Sequence, residues 1–311
     1  MVQMRLKQNF PKISIGIPVY NGEHFLDEKI KSILDQTFSD YEIIISDNAS
    51  TDKTSIICNK FAKNEPKIRY IRQEKSIGIW ENFNVVLKEA KGDYFLWSSV
   101  DDIMLPTYLE KTLDIISSNK NISCCFTKIK LYGESDNLKN DLKVSLIERI
   151  KKKFTQLIFN DELGAYSAKG SYEKRIDVYF KNLSHNQIFY GMYRTEQIKR
   201  SFVKKSFLWY DAATILNILK YGELYVVDEV LLRIFVGGIC RSGMISVMHI
   251  LEPFSLWNRI FPYSKLTRWC FKNLTKKIFF KHLKFFILIN CYGESAVILD
   301  NFRIIQKKIR N

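Results

Sequence analysis

Over roughly the first hundred residues, short unbroken apolar runs alternate with segments whose apolar residues recur every third or fourth position. Ile13 to Val19, reading ISIGIPV, is the first run. It ends at the loop signal Tyr20, Asn21 and Gly22, after which Leu26, Ile30, Ile33 and Leu34 mark one face of a helix. Tyr41 to Asp47 is apolar through its centre, as a strand covered on both faces must be, and Asn48 to Asp52 lead into a second helix. Ile68 to Ile71 is a third short run. A helix from Ile79 to Ala90 follows, with Phe83, Val86, Leu87 and Ala90 on one face, and Gly92 stops it before the fourth run, Tyr94 to Trp97. Strands alternating with helices of about a dozen residues predict an α/β fold, a mostly parallel central sheet with helices on both faces.

In such a sheet, ligands bind in the crevice beyond the carboxyl ends of the strands. The loops at Tyr20 to Asn21, Asp47 to Asp52 and Ser98 to Asp102 therefore converge on one edge. The last carries the adjacent acids Asp101 and Asp102, with Pro106 closing the turn. Neighbouring carboxylates repel each other and resist desolvation. They either stay in water as a turn and helix cap, or hold a hard divalent cation through oxygen.

Composition narrows the classes. With 311 residues and 46% hydrophobic content, the chain can build a sizeable core. The balance of 48 Lys and Arg against 33 Asp and Glu, a net +15, points to an anionic partner: a nucleotide phosphate, an acidic membrane surface or nucleic acid. From Ser246 onward there are twelve Lys and Arg against three acids, interleaved with Trp257, Phe261, Trp269, Phe271, Phe279, Phe280, Phe285 and Phe286. That mixture suits either a helix lying on an anionic membrane or a helical subdomain packed on the core, and no nucleic-acid motif accompanies it. The six cysteines show no CxxC spacing and the N-terminus MVQMRLKQNFPK has no apolar leader, so a reduced, cytoplasmic protein is expected. Ile278 to Leu299 is the best candidate for a membrane span, but Lys281, His282, Lys284, Asn290 and Glu294 interrupt it.

The first loop, IPVYNGEHF, contains neither GxGxxG nor GxxxxGK[ST], which disfavours a Rossmann dinucleotide site and a P-loop. Instead, ISIGIPVYNGEHFLDEKIKSILDQTFSDYEIIISDNASTDKT, GIWENFNVVLKEAKGDYF and SSVDDIMLP, in this order and spacing, resemble a family 2 glycosyltransferase of bacterial surface-polysaccharide type. The resemblance implies a GT-A fold over residues 1–245, with a nucleotide-binding half at about 10–110, an acceptor half at about 111–245, and a basic aromatic helical C-terminal extension over 246–311. It implies a UDP-, dTDP- or GDP-sugar donor whose diphosphate is bridged by Mg²⁺ or Mn²⁺, and inverting transfer to a glycan or lipid-linked acceptor. Pro18, Tyr20 and Asn21 match the loop that packs on the nucleoside. Asp47 matches the acid that binds the base, Asn84 an Asn of an ARN-like triplet, and Asp101 the metal-binding acid. Asp102 is expected to position metal or substrate, or to support them from behind. Asn21 and Asp52 also read as turn and cap residues.

Gly191 to Arg194 is similar to the GxxR segment that opens the acceptor half, with Arg194 either a phosphate ligand or a surface charge. Asp211, before the apolar helix Ala212 to Leu219, matches the general base; it also reads as a helix N-cap. Trp209 and Tyr210 read as sugar-stacking or as buried packing residues. Tyr225 to Phe235 resembles the last strand of the domain. Three departures stand out: Ser99 where the family has an acid, Phe83 where it often has an arginine, and Phe235 where it often has a histidine. With those groups gone, Arg233 or Arg241 takes more of the phosphate charge, and a catalytically impaired nucleotide-sugar-binding or scaffold protein stays open. A nucleotidyltransferase is disfavoured because IPVYNGE lacks a basic phosphate loop.

Overall fold

The computed structural model describes residues 10–133, 165–183, 186–235, 237, 244–251 and 255–310. Eight strands form one sheet: β1 (Ile13–Val19), β2 (Tyr41–Asp47), β3 (Ile68–Arg72), β4 (Tyr94–Trp97), β5 (Ile103–Met104), β6 (Ile122–Tyr132), β7 (Met192–Arg194) and β8 (Glu223–Phe235). Their order across the sheet is β3-β2-β1-β4-β7-β6-β8-β5. Strands β3, β2, β1 and β4 are parallel, as the alternating pattern predicts. The helices between them are α1 (Leu26–Leu34), α2 (Thr54–Asn64) and α3 (Ile79–Glu89). The other half is mixed: β7 runs antiparallel between β4 and β6, β8 is parallel to β6, and β5 is antiparallel to β8.

The apolar runs become the core because both faces of these strands are covered. Ile13, Ile15, Ile17, Ile43, Ile44, Ile45, Phe95 and Trp97 are all buried. From β1 the chain builds outward to β3, then returns across β1 to form β4. The strand order therefore reverses between β1 and β4, which opens a crevice at their carboxyl ends. Gly92 permits that return. A Cβ there would lie 2.8 Å from both the Ile13 carbonyl carbon and the Ser14 nitrogen, so β4 enters beside β1 only with glycine at this position.

Beyond the sheet lie α4 (Tyr108–Ser118), α5 (Tyr172–Lys181), a 3₁₀ turn (Gln187–Tyr190), α6 (Thr195–Ser201) and α7 (Tyr210–Ile218). They are followed by α8 (Met244–Leu251), α9 (Leu256–Ile260), α10 (Ser264–Asn273), α11 (Lys276–Lys281) and α12 (Leu283–Arg310). The C-terminal helices are bolted to α5. Phe180 packs on Phe285 and Phe286, and Asp177 accepts hydrogen bonds from Lys281 Nζ at 2.6 Å and binds His282 Nε2 at 2.8 Å. Among the described residues no helix is long and apolar enough to cross a membrane.

Candidate active site

The loops after β1 and β2 lock together at the crevice. Pro18 ends β1 beside Ser46, Tyr20 is exposed, and Asn21 adopts a left-handed φ of +50°. Asn21 Oδ1 accepts the Thr51 amide at 2.9 Å, and its own amide donates to Ser50 Oγ at 2.9 Å. Asn21 thus shapes the turn, leaving the Tyr20 ring free at the rim. Asp52 accepts the Thr54 and Glu23 amides, capping α2 from just upstream while tying the two loops. Asp47 is buried, and its carboxylate receives three donors: the Ser50 amide at 2.8 Å, Tyr70 Oη at 2.8 Å and Arg72 Nη1 at 2.9 Å. A carboxylate accepts about four hydrogen bonds, so one acceptor position remains beyond those three.

Asn84 lies partly exposed on α3, one turn from its start. The neighbouring Asn82, absent from the sequence-based set, is buried and stitches β1 to β2. It accepts from Ser46 Oγ at 2.6 Å and donates to the Ser46 carbonyl at 2.9 Å. Asn82 shares its helix face with Val86, so a polar residue in an apolar stripe was the available signal. Phe83 packs against Trp97, Phe189 and Tyr210.

The Ser98–Asp102 turn crosses the mouth of the crevice, anchored by the Ser98 amide on the Gly16 carbonyl at 2.8 Å. Ser99 Oγ donates to Asp101 Oδ1, and Tyr132 Oη donates to the Asp101 carbonyl. Asp102 is buried and accepts the Phe235 amide at 3.2 Å. Beneath the turn lies Lys29, 1% exposed, whose ammonium donates to the Asp102 carbonyl at 2.7 Å. Desolvation pushes the Asp102 carboxyl up to about 7, opposed by Lys29 and reinforced by Asp101. The same desolvation pushes Lys29 down to about 8, against the pull of both acids. Lys29 lies among Leu26, Ile30 and Ile33, the polar intruder that could have revealed it. Phe235 closes the turn from the far side, its ring 4.9 Å from Phe25 and 5.5 Å from Tyr132, and Arg233 lies over the Tyr132 ring. Arg233 therefore lies beside the acid turn. Arg241 lies outside the described residues.

At Asp101, Ser99 occupies Oδ1, and Oδ2 has no protein partner among the described residues, which leaves one carboxylate oxygen that could face a hard divalent ion. No group of three or more His, Cys, Asp or Glu ligands occurs among the described residues, so most of an ion's ligands would come from the donor phosphates.

Asp211 sits in the first turn of α7. The N-cap is Trp209, held at a left-handed φ of +65°, so the N-cap reading of Asp211 is replaced by the second position of the helix. Its carboxylate accepts Asn186 Nδ2 at 2.9 Å, and Asn186 Oδ1 in turn accepts Tyr179 Oη at 2.8 Å. Burial raises the Asp211 carboxyl, while the Asn186 amide and the Ala212 backbone hold it down. Tyr190, at the end of the 3₁₀ turn, joins the two halves. Burial raises its phenol far above its usual value, with the site carboxylates adding to the shift. Asn186 and Tyr190 sit in a stretch with no helical or strand period, which left no signal in the sequence.

Arg194 corrects an expectation, while Trp209 and Tyr210 take the packing alternative. Arg194 is neither a phosphate ligand nor a free surface charge: it donates to the carbonyls of Ile116, Asn119 and Ile122 at the opposite end of β4, where Arg194 pairs with Tyr94. Tyr210 is buried against Phe83, Phe189 and Phe202, and Trp209 packs on Tyr263 at 4.5 Å, so packing occupies both rings.

This sheet, with its switch-point crevice and acid turn, has the architecture of the GT-A glycosyltransferases. It is similar to S. aureus TarS in complex with UDP-GlcNAc (TM-score 0.53, 16% identity, covering 92% of this chain and 81% of that one). It is also similar to the mannosyltransferase PcManGT from Pyrobaculum calidifontis in complex with GDP-Man and Mn²⁺ (TM-score 0.53, 13% identity, 94% and 74%). The model of glycosyl transferase family 2 matches residues 14–202, more than half of the chain, and the chain belongs to that family. Curated relatives include an uncharacterized glycosyltransferase of Haemophilus influenzae (30% identical over 42% of this chain and 40% of the relative). Chondroitin synthase of Escherichia coli (32%; 41% and 18%) and the putative glycosyltransferase EpsE of Bacillus subtilis (31%; 40% and 45%) are also similar. In each of these relatives the match spans less than half of the protein.

Proposed function

We propose that the protein transfers a sugar, with inversion, from a UDP-, dTDP- or GDP-sugar to a glycan or lipid-linked acceptor in surface-polysaccharide or glycolipid assembly, at the cytoplasmic face of an anionic membrane. The observation that supports this reading is the run of ring contacts from Trp97, which ends β4 just before the acid turn, through Phe189 at 4.4 Å to Tyr210, the neighbour of Asp211. Pro18, Tyr20 and Asn21 form the wall for the nucleoside, Asp47 sets the base pocket through the Tyr70 and Arg72 side chains it holds, and Asn84 and Arg233 flank the donor. Asp101, backed by Asp102 and Lys29, is the residue that would hold Mg²⁺ or Mn²⁺, which when bound neutralises the diphosphate as it leaves. Asp211 takes the proton from the acceptor hydroxyl as that oxygen attacks the anomeric carbon. A single displacement needs only one base on the acceptor side, which leads to inversion. Raised by burial yet held ionisable by Asn186, the Asp211 carboxyl suits that role.

The donor class is supported by the nucleotide sugars that TarS and PcManGT bind. A thermal-shift screen of UDP-, dTDP- and GDP-sugars, with and without Mn²⁺, tests it on wild type and Asp101→Ala. At a hundredfold excess over its Kd, the right donor adds about 2.7 kcal/mol of stability. The expected result is a metal-dependent shift for one donor that Asp101→Ala loses; no shift for any member of the panel would contradict the reading.

A further inference from the structure

We propose that the outer face of α11 and the first turns of α12 is a docking surface for an anionic lipid bilayer. The inference rests on the membrane setting proposed above and adds which side of the molecule meets the lipid.

Residues 253 to 293 contain eight Lys and Arg and no Asp or Glu. The helical path runs almost unbroken from α11 into α12, with the His282 amide on the Ile278 carbonyl and the Phe286 amide on the His282 carbonyl, both at 3.2 Å. One side of it is internal. Phe279, Phe286 and Ile289 are buried, and Asp177 and Glu173 on α5 bind Lys281 and Lys277. On the other side Phe280, Leu283 and Ile287, spaced at three to four residues, are 59%, 40% and 56% exposed, and the exposed Lys276 and Lys284 flank them. Large apolar side chains in open water beside exposed lysines are what an interfacial helix presents to acidic headgroups. Charge selects this occupant over a second copy of the chain, since two such faces would bring like charges together.

The contacts on the inner side give the docking a consequence for the reaction. Helix α5 lies in the acceptor half, and Tyr263 of the same extension packs on Trp209, two residues from Asp211. A bilayer beneath α11 and α12 thus supports the acceptor side of the crevice.

The test is flotation of the full chain with vesicles of phosphatidylcholine alone and of phosphatidylcholine mixed with phosphatidylglycerol. Wild type is expected to float only with the anionic vesicles, and less so at high salt. Phe280→Glu with Ile287→Glu, and separately Lys276→Glu with Lys284→Glu, are expected to weaken partition by about tenfold or more while leaving melting temperature and donor-induced thermal shift unchanged. Asp211→Asn is expected to float like wild type, so a failure of the transfer reading leaves this result intact. The proposal is overturned if wild type ignores anionic vesicles, if the Phe280 and Ile287 double variant floats as wild type does, or if those two substitutions instead abolish a concentration-dependent dimer.

Discussion

At the scale of single residues, the protonation of Asp211 is set by two opposed effects. Burial favours its neutral form, and the Asn186 amide favours the carboxylate. A base works only when deprotonated, so removing that amide must move the acid limb of the kcat profile to higher pH. For Asn186→Leu we expect that upward displacement together with a fall in kcat at neutral pH of roughly tenfold, the kinetic equivalent of about 1.4 kcal/mol and close to the worth of one hydrogen bond to a charged group. An unmoved limb in a pH–rate series would remove Asn186 from the base's support. Asp101 stood out as one of two adjacent acids after an apolar run, whereas Asp47 and Asp211 were singled out by the family resemblance. Asn186 was not, since its partner is 25 positions away and only the folded chain brings the two together.

At the scale of elements, the switch between β1 and β4 depends on how closely β4 can enter. Gly92→Ala sets a Cβ against the Ile13 and Ser14 backbone, which cannot rotate aside as a side chain can. Overpacking of this kind costs about 1–3 kcal/mol, and we expect a lowered melting temperature in calorimetry with the donor-induced shift retained. An unchanged melting temperature would show that β1 and β4 part easily. The four parallel strands were readable from sequence because each is an unbroken apolar run between helical periods. The mixed half was not: β5 and β7 are two and three residues long, too short for any period, and β6 and β8 pair through register shifts that no local pattern announces. Arg194 was misread for the same reason, since its role depends on which end of β4 the short β7 meets.

At the scale of the whole molecule, three bodies of chemistry are joined through buried contacts. Trp97 stacks on Phe189 at 4.4 Å, tying the donor-side sheet to the 3₁₀ turn that supports Asp211, and α5 holds the basic extension through Phe180, Glu173 and Asp177. The excess of positive charge, which the sequence alone left divided among nucleotide, membrane and nucleic acid, then separates by place. Lys29 and Arg233 stand at the acid turn, and Lys276 and Lys284 stand on the outer face of the extension. The central claim is that the acid turn holds the donor while Asp211, on a separate element, takes the acceptor's proton. The measurement that tests it most directly is donor binding and transfer on Asp211→Asn beside wild type, with the donor found by thermal shift and Mn²⁺ present. The account predicts unchanged donor affinity with transfer reduced about 10²–10⁴-fold, the usual contribution of a positioned base. Transfer by Asp211→Asn at the wild-type rate would contradict it.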